Sequence, residues 1–361
     1  MTNKIIYTGW LKWYPSLDAQ SLFSVDAHRG MTLDKILEDA QGNKEFDILK
    51  TLKENEYLLV YLPNKDGEPE LCEQFCYEHG TFRRVGRESI KAYKIAKPSR
   101  VQDRRGKKDK DRKEKKSAED MNSESAKYQR QTSVINPRND EQICAFDLML
   151  DDNKTVKALL GTWGAGKDLI MAHAALEKIH TGAYEQIVWI RNPVRLRDTP
   201  DLGALPGTEV DKLLPYLGPF IDATSKETVK TMLSNETLVV EPLQSLRGRN
   251  FENSILICSE AENLTYDHLK LIISRVADGS CLYINGDLRQ RDKDTFSQSR
   301  GLEKFLKCLA GDPLFGYVFL PKTERSKTAA LADKLDLYEE PGHQDHTLVA
   351  GEKEKDDKDN N

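Results

Sequence analysis

A lysine that follows a run of small residues is where chemistry first becomes legible in this chain. Residues 156–170 read VKALLGTWGAGKDLI. The apolar start predicts a buried strand; Gly161, Thr162, Trp163, Gly164, Ala165 and Gly166 predict a turn, and Lys167 opens a helix. Small residues let backbone N–H groups crowd round phosphate oxygens, and the helix N-terminus adds positive potential. Lys167 then reaches the outer phosphates of a nucleoside triphosphate. The next residue departs from this pattern. A Ser or Thr hydroxyl normally meets Mg2+ there, and this chain has Asp168.

The partner of such a loop is an apolar strand ending in Asp-Glu. The matching run here, Ile255-Leu256-Ile257-Cys258-Ser259-Glu260, has serine in place of the aspartate. The two departures are reciprocal. If hydroxyl and carboxylate have traded strands, Asp168 becomes the anionic Mg2+ ligand and Ser259 the hydroxyl that orients it. The competing reading is a nucleotide site that has lost its metal. Glu260 stands where a carboxylate can polarise attacking water. One helix and one strand later, Gly286-Asp287-Leu288-Arg289-Gln290 offers the Gln290 amide to the γ-phosphate or its water. Upstream, Gln142 precedes the loop's strand, where an amide can pair with N6 and N7 of adenine. Near the end, Arg325 in Glu324-Arg325-Ser326 is the choice for an arginine finger, in cis or in a neighbouring subunit.

Positioning these groups needs a layered scaffold. Strands are predicted at 156–160, 186–190, 238–240, 254–258, 281–284 and 317–320, and helices at 167–179, 266–276, 301–309 and 327–335. Alternation of apolar strands with helices predicts an α/β fold, a parallel sheet covered by helices on both faces. Ligands in such sheets bind at the carboxyl ends of strands, where the phosphate loop falls. The interval 191–237 is rich in Pro and Gly and begins with Arg191, Arg195 and Arg197. An excursion of that length packs over the sheet or holds a partner.

The chain's 361 residues suffice for about two domains with tails. No apolar run reaches membrane-spanning length, and the start does not read as a signal peptide. Six scattered cysteines argue for reduced thiols and a cytoplasmic location. Four segments are expected. Residues 1–96 form a small α+β module, with strands at Ile5–Tyr7 and Tyr57–Leu62, a helix capped by Thr32 and another around Ile48, Leu49 and Leu52. Trp10 and Trp13 are core residues or a stacking surface for bases. Cys72, Cys76 and His79 share a face if that stretch is helical; zinc competes there with plain burial of thiols. Residues 97–133 read as a disordered linker, in which Lys97–Lys116 carries 11 basic and 4 acidic residues. That run is a solvated tether or an arm for nucleic acid phosphates. Residues 134–338 hold the nucleotide site, and 339–361 form an acidic tail.

PRNDEQ, GTWGAGKD, IRNP, LGALPGTEVDKLLPYLGPFID, LRGRNF, ILICSEAENLT, INGDLRQRD and PKTERS occur in this order, and from about residue 134 to 336 the chain resembles the PhoH-like ATPases. The resemblance implies a RecA-like core related to superfamily-one helicases. It also implies ATP with Mg2+, ring-shaped homo-oligomers such as hexamers, and a role in RNA metabolism. Arg247 and Arg249 are then expected at a functional surface. Larger members carry an N-terminal PIN ribonuclease domain with an aspartate ending its first strand. The first strand candidate here ends without an acid, so nuclease activity is not carried over.

The reading that follows is an ATPase that couples hydrolysis to remodelling or unwinding of nucleic acid, RNA before DNA. A nucleotide-gated adaptor with little hydrolysis is the alternative. A small-molecule kinase is a third, disfavoured by the Gln290 motif and the late Arg325.

Overall fold

The structure, a computed structural model, describes residues 8–85, 96–97, 133–191, 209–288, 300–326 and 328. Its first sheet has four strands in spatial order: β1 (Trp10–Trp13), β2 (Tyr57–Pro63), β3 (Pro69–Glu78) and β4 (Thr81–Val85). Only β1 and β2 run parallel. Two helices, α1 (Leu17–His28) and α2 (Leu33–Asp39), and a 3-10 turn at Lys44–Thr51 precede β2. Thr32 caps α2 as expected, its hydroxyl accepting from the Lys35 N–H.

The run from Tyr57 to Leu62 shows no polar alternation because both faces of β2 are covered. Leu58 and Val60 pack with Phe23, Ile36 and Phe75 in this sheet's own core. Tyr57, Leu59 and Tyr61 point the other way, into a core shared with the rest of the chain. Trp13 belongs to the first of these cores, edge-on to Phe23 and Phe46, and so is not a platform for bases. The stretch holding Cys72, Cys76 and His79 is not helical. Its aromatic content pairs it as β3 between two strands, leaving Cys72 exposed, Cys76 buried and His79 on a turn with φ of 51°. No group of three or more His, Cys, Asp or Glu that could hold a metal ion occurs among the described residues.

The second sheet is built from β5 (Val156–Gly161), β6 (Gln186–Arg191), β7 (Leu238–Pro242), β8 (Ser254–Cys258), β9 (Cys281–Gly286) and β10 (Phe315–Leu320). All six predicted strands are present, all parallel, in the order β10-β5-β9-β8-β6-β7. Alternate residues serve opposite cores: Leu159, Ile257 and Tyr283 one, Ala158, Leu160, Leu256 and Ile284 the other. The first core is roofed by α3 (Asp140–Leu150), α4 (Lys167–His180) and α6 (Gly218–Ala223), the second by α8 (Tyr266–Ile273) and α9 (Gly301–Leu309). Helices α4 and α9 match the expectation closely, and α8 ends three residues early, at Ile273. Helix α3 and the short α5 (Glu209–Leu213), α6 and α7 (Lys226–Ser234) were not expected. The predicted strand Ile5–Tyr7 and, apart from residue 328, the helix 327–335 lie outside the described residues, as do Arg195 and Arg197. The arrangement is a RecA-like α/β fold with a small N-terminal sheet beside it.

The two sheets are stitched together. The Phe319 N–H donates to Thr8 O at 2.8 Å, and Trp10 Nε1 donates to Phe319 O at 2.8 Å. Gly9, at φ of 72°, lies so close that a Cβ there would meet Tyr317 O at 1.8 Å. The edge strand β10 is thereby covered rather than left with open N–H and C=O groups. The same module grips α3: Tyr61 Oη donates to Asp140, while Tyr57 Oη and the Arg83 guanidinium both bind Asp147. No helix among the described residues is long and apolar enough to cross a membrane.

Candidate functional site

The loop between β5 and α4 is held open by glycine. Gly161, Gly164 and Gly166 have φ of 145°, 65° and 91°, a region that side-chain-bearing residues rarely adopt. At Gly161 space also decides, since a Cβ would lie 2.2 Å from Leu320 O. Gly166 caps α4 with no side-chain hydrogen bond, so the first turn's N–H groups face the loop. Lys167 Nζ folds back to donate to Gly161 O at 2.8 Å and Thr162 O at 2.9 Å. Trp163 stands exposed at the loop's tip.

A cavity of about 850 Å³ opens over this loop. Arg138, Gln142, Lys167, Asp168, Pro219 and Arg325 are among its lining residues. Gln142 is braced at both ends: its Oε1 accepts the Arg138 N–H at 2.8 Å and its Nε2 donates to Ala165 O at 3.0 Å. These bonds use one lone pair of Oε1 and one hydrogen of Nε2 and set the amide's orientation in the cavity lining, so that Gln142 braces the loop. Asn139 caps α3 by accepting the Gln142 N–H at 2.8 Å and donates to Glu324 Oε1 at 2.8 Å. Its signal, Asn three residues ahead of Gln at a helix start, was present in the sequence. Thr323 Oγ1 donates to Trp163 O at 2.7 Å and the Glu324 N–H to Gly164 O at 3.0 Å. These bonds bring the segment holding Arg325 onto the loop of the same chain.

Asp168 and Ser259, 91 positions apart, meet. Ser259 Oγ donates to Asp168 Oδ1 at 3.0 Å. A third residue, which sequence reasoning missed, joins them: Asn285 Nδ2 donates to the same Oδ1. Asn285 Oδ1 in turn accepts the Glu260 N–H at 2.9 Å and lies 3.2 Å from Ser259 Oγ. Both donors converge on one oxygen of Asp168, and no described residue donates to Oδ2. Glu260 is exposed at the strand end with φ of 55°. Ser259, Glu260 and Asn285 are not among the residues that line the cavity, and they meet it through Asp168. Gln290 lies outside the described residues.

Glu262 follows on the same turn and is buried. Its Oε2 accepts the Asp287 N–H at 3.1 Å, and a Cβ on Gly286 would sit 2.8 Å from it. Burial, with Glu260 nearby, pushes its carboxyl up to about 8. The start of the Gly286-Asp287 turn is thus fixed from below by Glu262. An oxygen-rich corner of this kind suits a hard divalent cation: Mg2+ takes one or two carboxylates and completes its shell with phosphate oxygens and water. The carboxylate of Asp168, oriented by two donors on one oxygen, fits that demand.

A family model described as PhoH-like protein matches residues 134–339. Similar curated proteins include PhoH2 of Mycolicibacterium smegmatis, 32% identical over 217 residues, covering 59% of this chain and 50% of that protein. PhoH2 of Bacillus subtilis is 33% identical over 211 residues, covering 56% of this chain and 47% of that protein. PhoH of Escherichia coli is 31% identical over 219 residues, covering 59% and 60%. The chain spans about half the length of the curated relatives it matches. The likeness to a solved structure of FlhF complexed with GMPPNP/Mg(2+) is slight, with a TM-score of 0.15 and 15% identity over 46% of this chain and 72% of that one.

Proposed function

This chain belongs to the PhoH-like protein family, and we propose that it binds ATP with Mg2+ and hydrolyses it to remodel or unwind nucleic acid, RNA before DNA. The observation that carries this reading is the meeting of Asp168 and Ser259 at 3.0 Å beside the phosphate loop. Two independent losses would not leave a carboxylate and a hydroxyl bonded to each other between a helix start and a strand end.

The phosphate loop amides and Lys167 bind the β- and γ-phosphates. Asp168 holds the cation through oxygen, and Ser259 fixes the carboxylate's orientation. Bound there, Mg2+ would offset negative charge on the triphosphate. Glu260 accepts a proton from the attacking water and so favours in-line attack on the γ-phosphorus. Gln290 senses the γ-phosphate. Arg325, carried over the loop by the Thr323 and Glu324 bonds, acts in cis on charge developing in the transition state. Thr162, Gly164, Ala165 and Gly166 cradle the phosphates. The basic run Lys97–Lys116 supports nucleic acid as partner, and homo-oligomeric rings and a cytoplasmic location complete the reading.

ATP turnover with and without RNA, in the wild type and Glu260→Gln, tests it. The expected result is RNA-stimulated turnover that Glu260→Gln lowers by about 10²–10⁴-fold, the usual worth of a general base. Turnover unchanged in that variant refutes the role of Glu260. Tight nucleotide binding without turnover in the wild type would instead leave the nucleotide-gated adaptor.

A further inference from the structure

We propose that Asn285 is a positioning residue that couples the cation-holding pair to the water-activating carboxylate, an inference that rests on the hydrolytic reading of Asp168, Ser259 and Glu260. Its place in the sheet makes this natural. Strand β9 lies between β5, which leads to the phosphate loop, and β8, which ends one residue before Ser259. Asn285 pairs with Leu159 on one side, and its neighbour Ile284 pairs with Cys258 on the other. Buried to 2% exposure at the carboxyl end of this middle strand, its amide spans both neighbours.

The amide's orientation follows from its partners. The Glu260 N–H is a donor and can face only an acceptor, which fixes Oδ1 toward it at 2.9 Å. Nδ2 must then face Asp168 Oδ1, an acceptor when ionised. Turning the amide over would set Nδ2 against an N–H and an oxygen against a carboxylate. Ser259 has one hydroxyl hydrogen, and the charged Asp168 at 3.0 Å is a better target for it than Asn285 Oδ1 at 3.2 Å. Asn285 therefore does two things with one group. It holds Asp168 in place, and it satisfies the N–H of Glu260, whose backbone sits at φ 55° and ψ 45°. A glutamate in that left-handed region needs its surroundings to hold it there. Moving Asn285 moves the cation ligand and the general base together.

Asn285→Ala, Asn285→Asp and Glu260→Gln separate the possibilities. Asn285→Ala removes both contacts, and kcat falls by about 10- to 100-fold, as expected for one or two buried hydrogen bonds. KM for ATP stays within about threefold, because the loop's own contacts are untouched. Asn285→Asp is close to isosteric and keeps the acceptor for the Glu260 N–H, but it sets a second carboxylate against Asp168. Thermal unfolding in chelator then shows a Tm below wild type, and Mg2+ alone raises that Tm by more than it raises the wild type's. Asn285→Ala shows no such extra gain. Equal Mg2+ shifts in all three proteins overturn the contact with Asp168. If Glu260→Gln is inactive while Asn285→Ala turns over like wild type, this inference fails and the hydrolytic reading stands. If Glu260→Gln keeps full turnover, both fall.

Discussion

Exchanging the groups at positions 168 and 259 puts a number on their partnership. In Asp168→Ser, Ser259 Oγ and Asn285 Nδ2 lose the carboxylate oxygen they share. Hydrogen bonds to a charged group are worth about 1.5–3 kcal/mol each, so about 3–6 kcal/mol of pairing is at stake, along with the anionic ligand. In Ser259→Asp a second carboxylate stands about 3 Å from the first, and at an effective dielectric near 20 two such charges repel by about 5 kcal/mol. Each single change should therefore lower turnover by about two to four orders of magnitude. The double change restores one carboxylate and one hydroxyl, so the main penalty of each single change disappears. Recovery stays incomplete because of Asn285. Its Oδ1 would face the relocated carboxylate, and if the amide turns over, the Glu260 N–H is left without its acceptor at a cost of about 1–3 kcal/mol. The double variant should thus lie within about 10- to 100-fold of wild type. Turnover at saturating ATP and Mg2+, affinity for a non-hydrolysable ATP mimic, and Tm for each of the four proteins complete the cycle. A coupling energy of about 3 kcal/mol or more is expected. Losses in the double variant equal to the sum of the two single losses would refute the exchange.

Three further outcomes are expected. Lys157 is fully buried in β5, and burial, helped by Lys178, lowers its ammonium to about 7 from the ordinary 10.5. The folded state then binds fewer protons than the unfolded one between those values, so stability rises with pH across that window. Lys157→Met should flatten the rise, by up to about 1.4 kcal/mol per pH unit, and raise Tm at pH 7, since Tyr283 Oη still donates to Met149 O at 3.1 Å. Denaturant titrations that give parallel curves for both proteins would contradict this. Glu262 has the opposite sign: with its carboxyl at about 8 against an ordinary 4.5, the folded state keeps a proton that the unfolded chain gives up. Stability falls as pH rises from 4.5 to 8, and Glu262→Gln, which keeps an acceptor for the Asp287 N–H, should remove that fall. An unchanged slope in the same titrations would rule out the buried acid. Gly161→Ala should lower Tm and abolish binding of the ATP mimic, because its Cβ would lie 2.2 Å from Leu320 O; overpacking of this kind costs about 1–3 kcal/mol or more. A variant with wild-type Tm would show that the strand gives way freely.

The sequence by itself determined the phosphate loop, the reciprocal oddity at Asp168 and Ser259, and the six strands of the parallel sheet. These are local signals: glycine where φ is positive, apolar runs of strand length, a lysine opening a helix. It did not determine which strands are neighbours. Order in a parallel sheet is settled by how crossover helices pack, and no residue type announces it. Only the tertiary structure placed β9 between β5 and β8, and so turned Asn285, an unremarked polar residue at the end of an apolar run, into the bridge between loop, hydroxyl and carboxylate. The same holds for Gln142, whose amide folding orients between the Arg138 N–H and Ala165 O of the loop. It holds too for Cys72, Cys76 and His79, whose helical spacing lost to cross-strand pairing with β2 and β4. Contacts between distant segments decide what each of these groups can still bind, and that is information a local pattern does not carry.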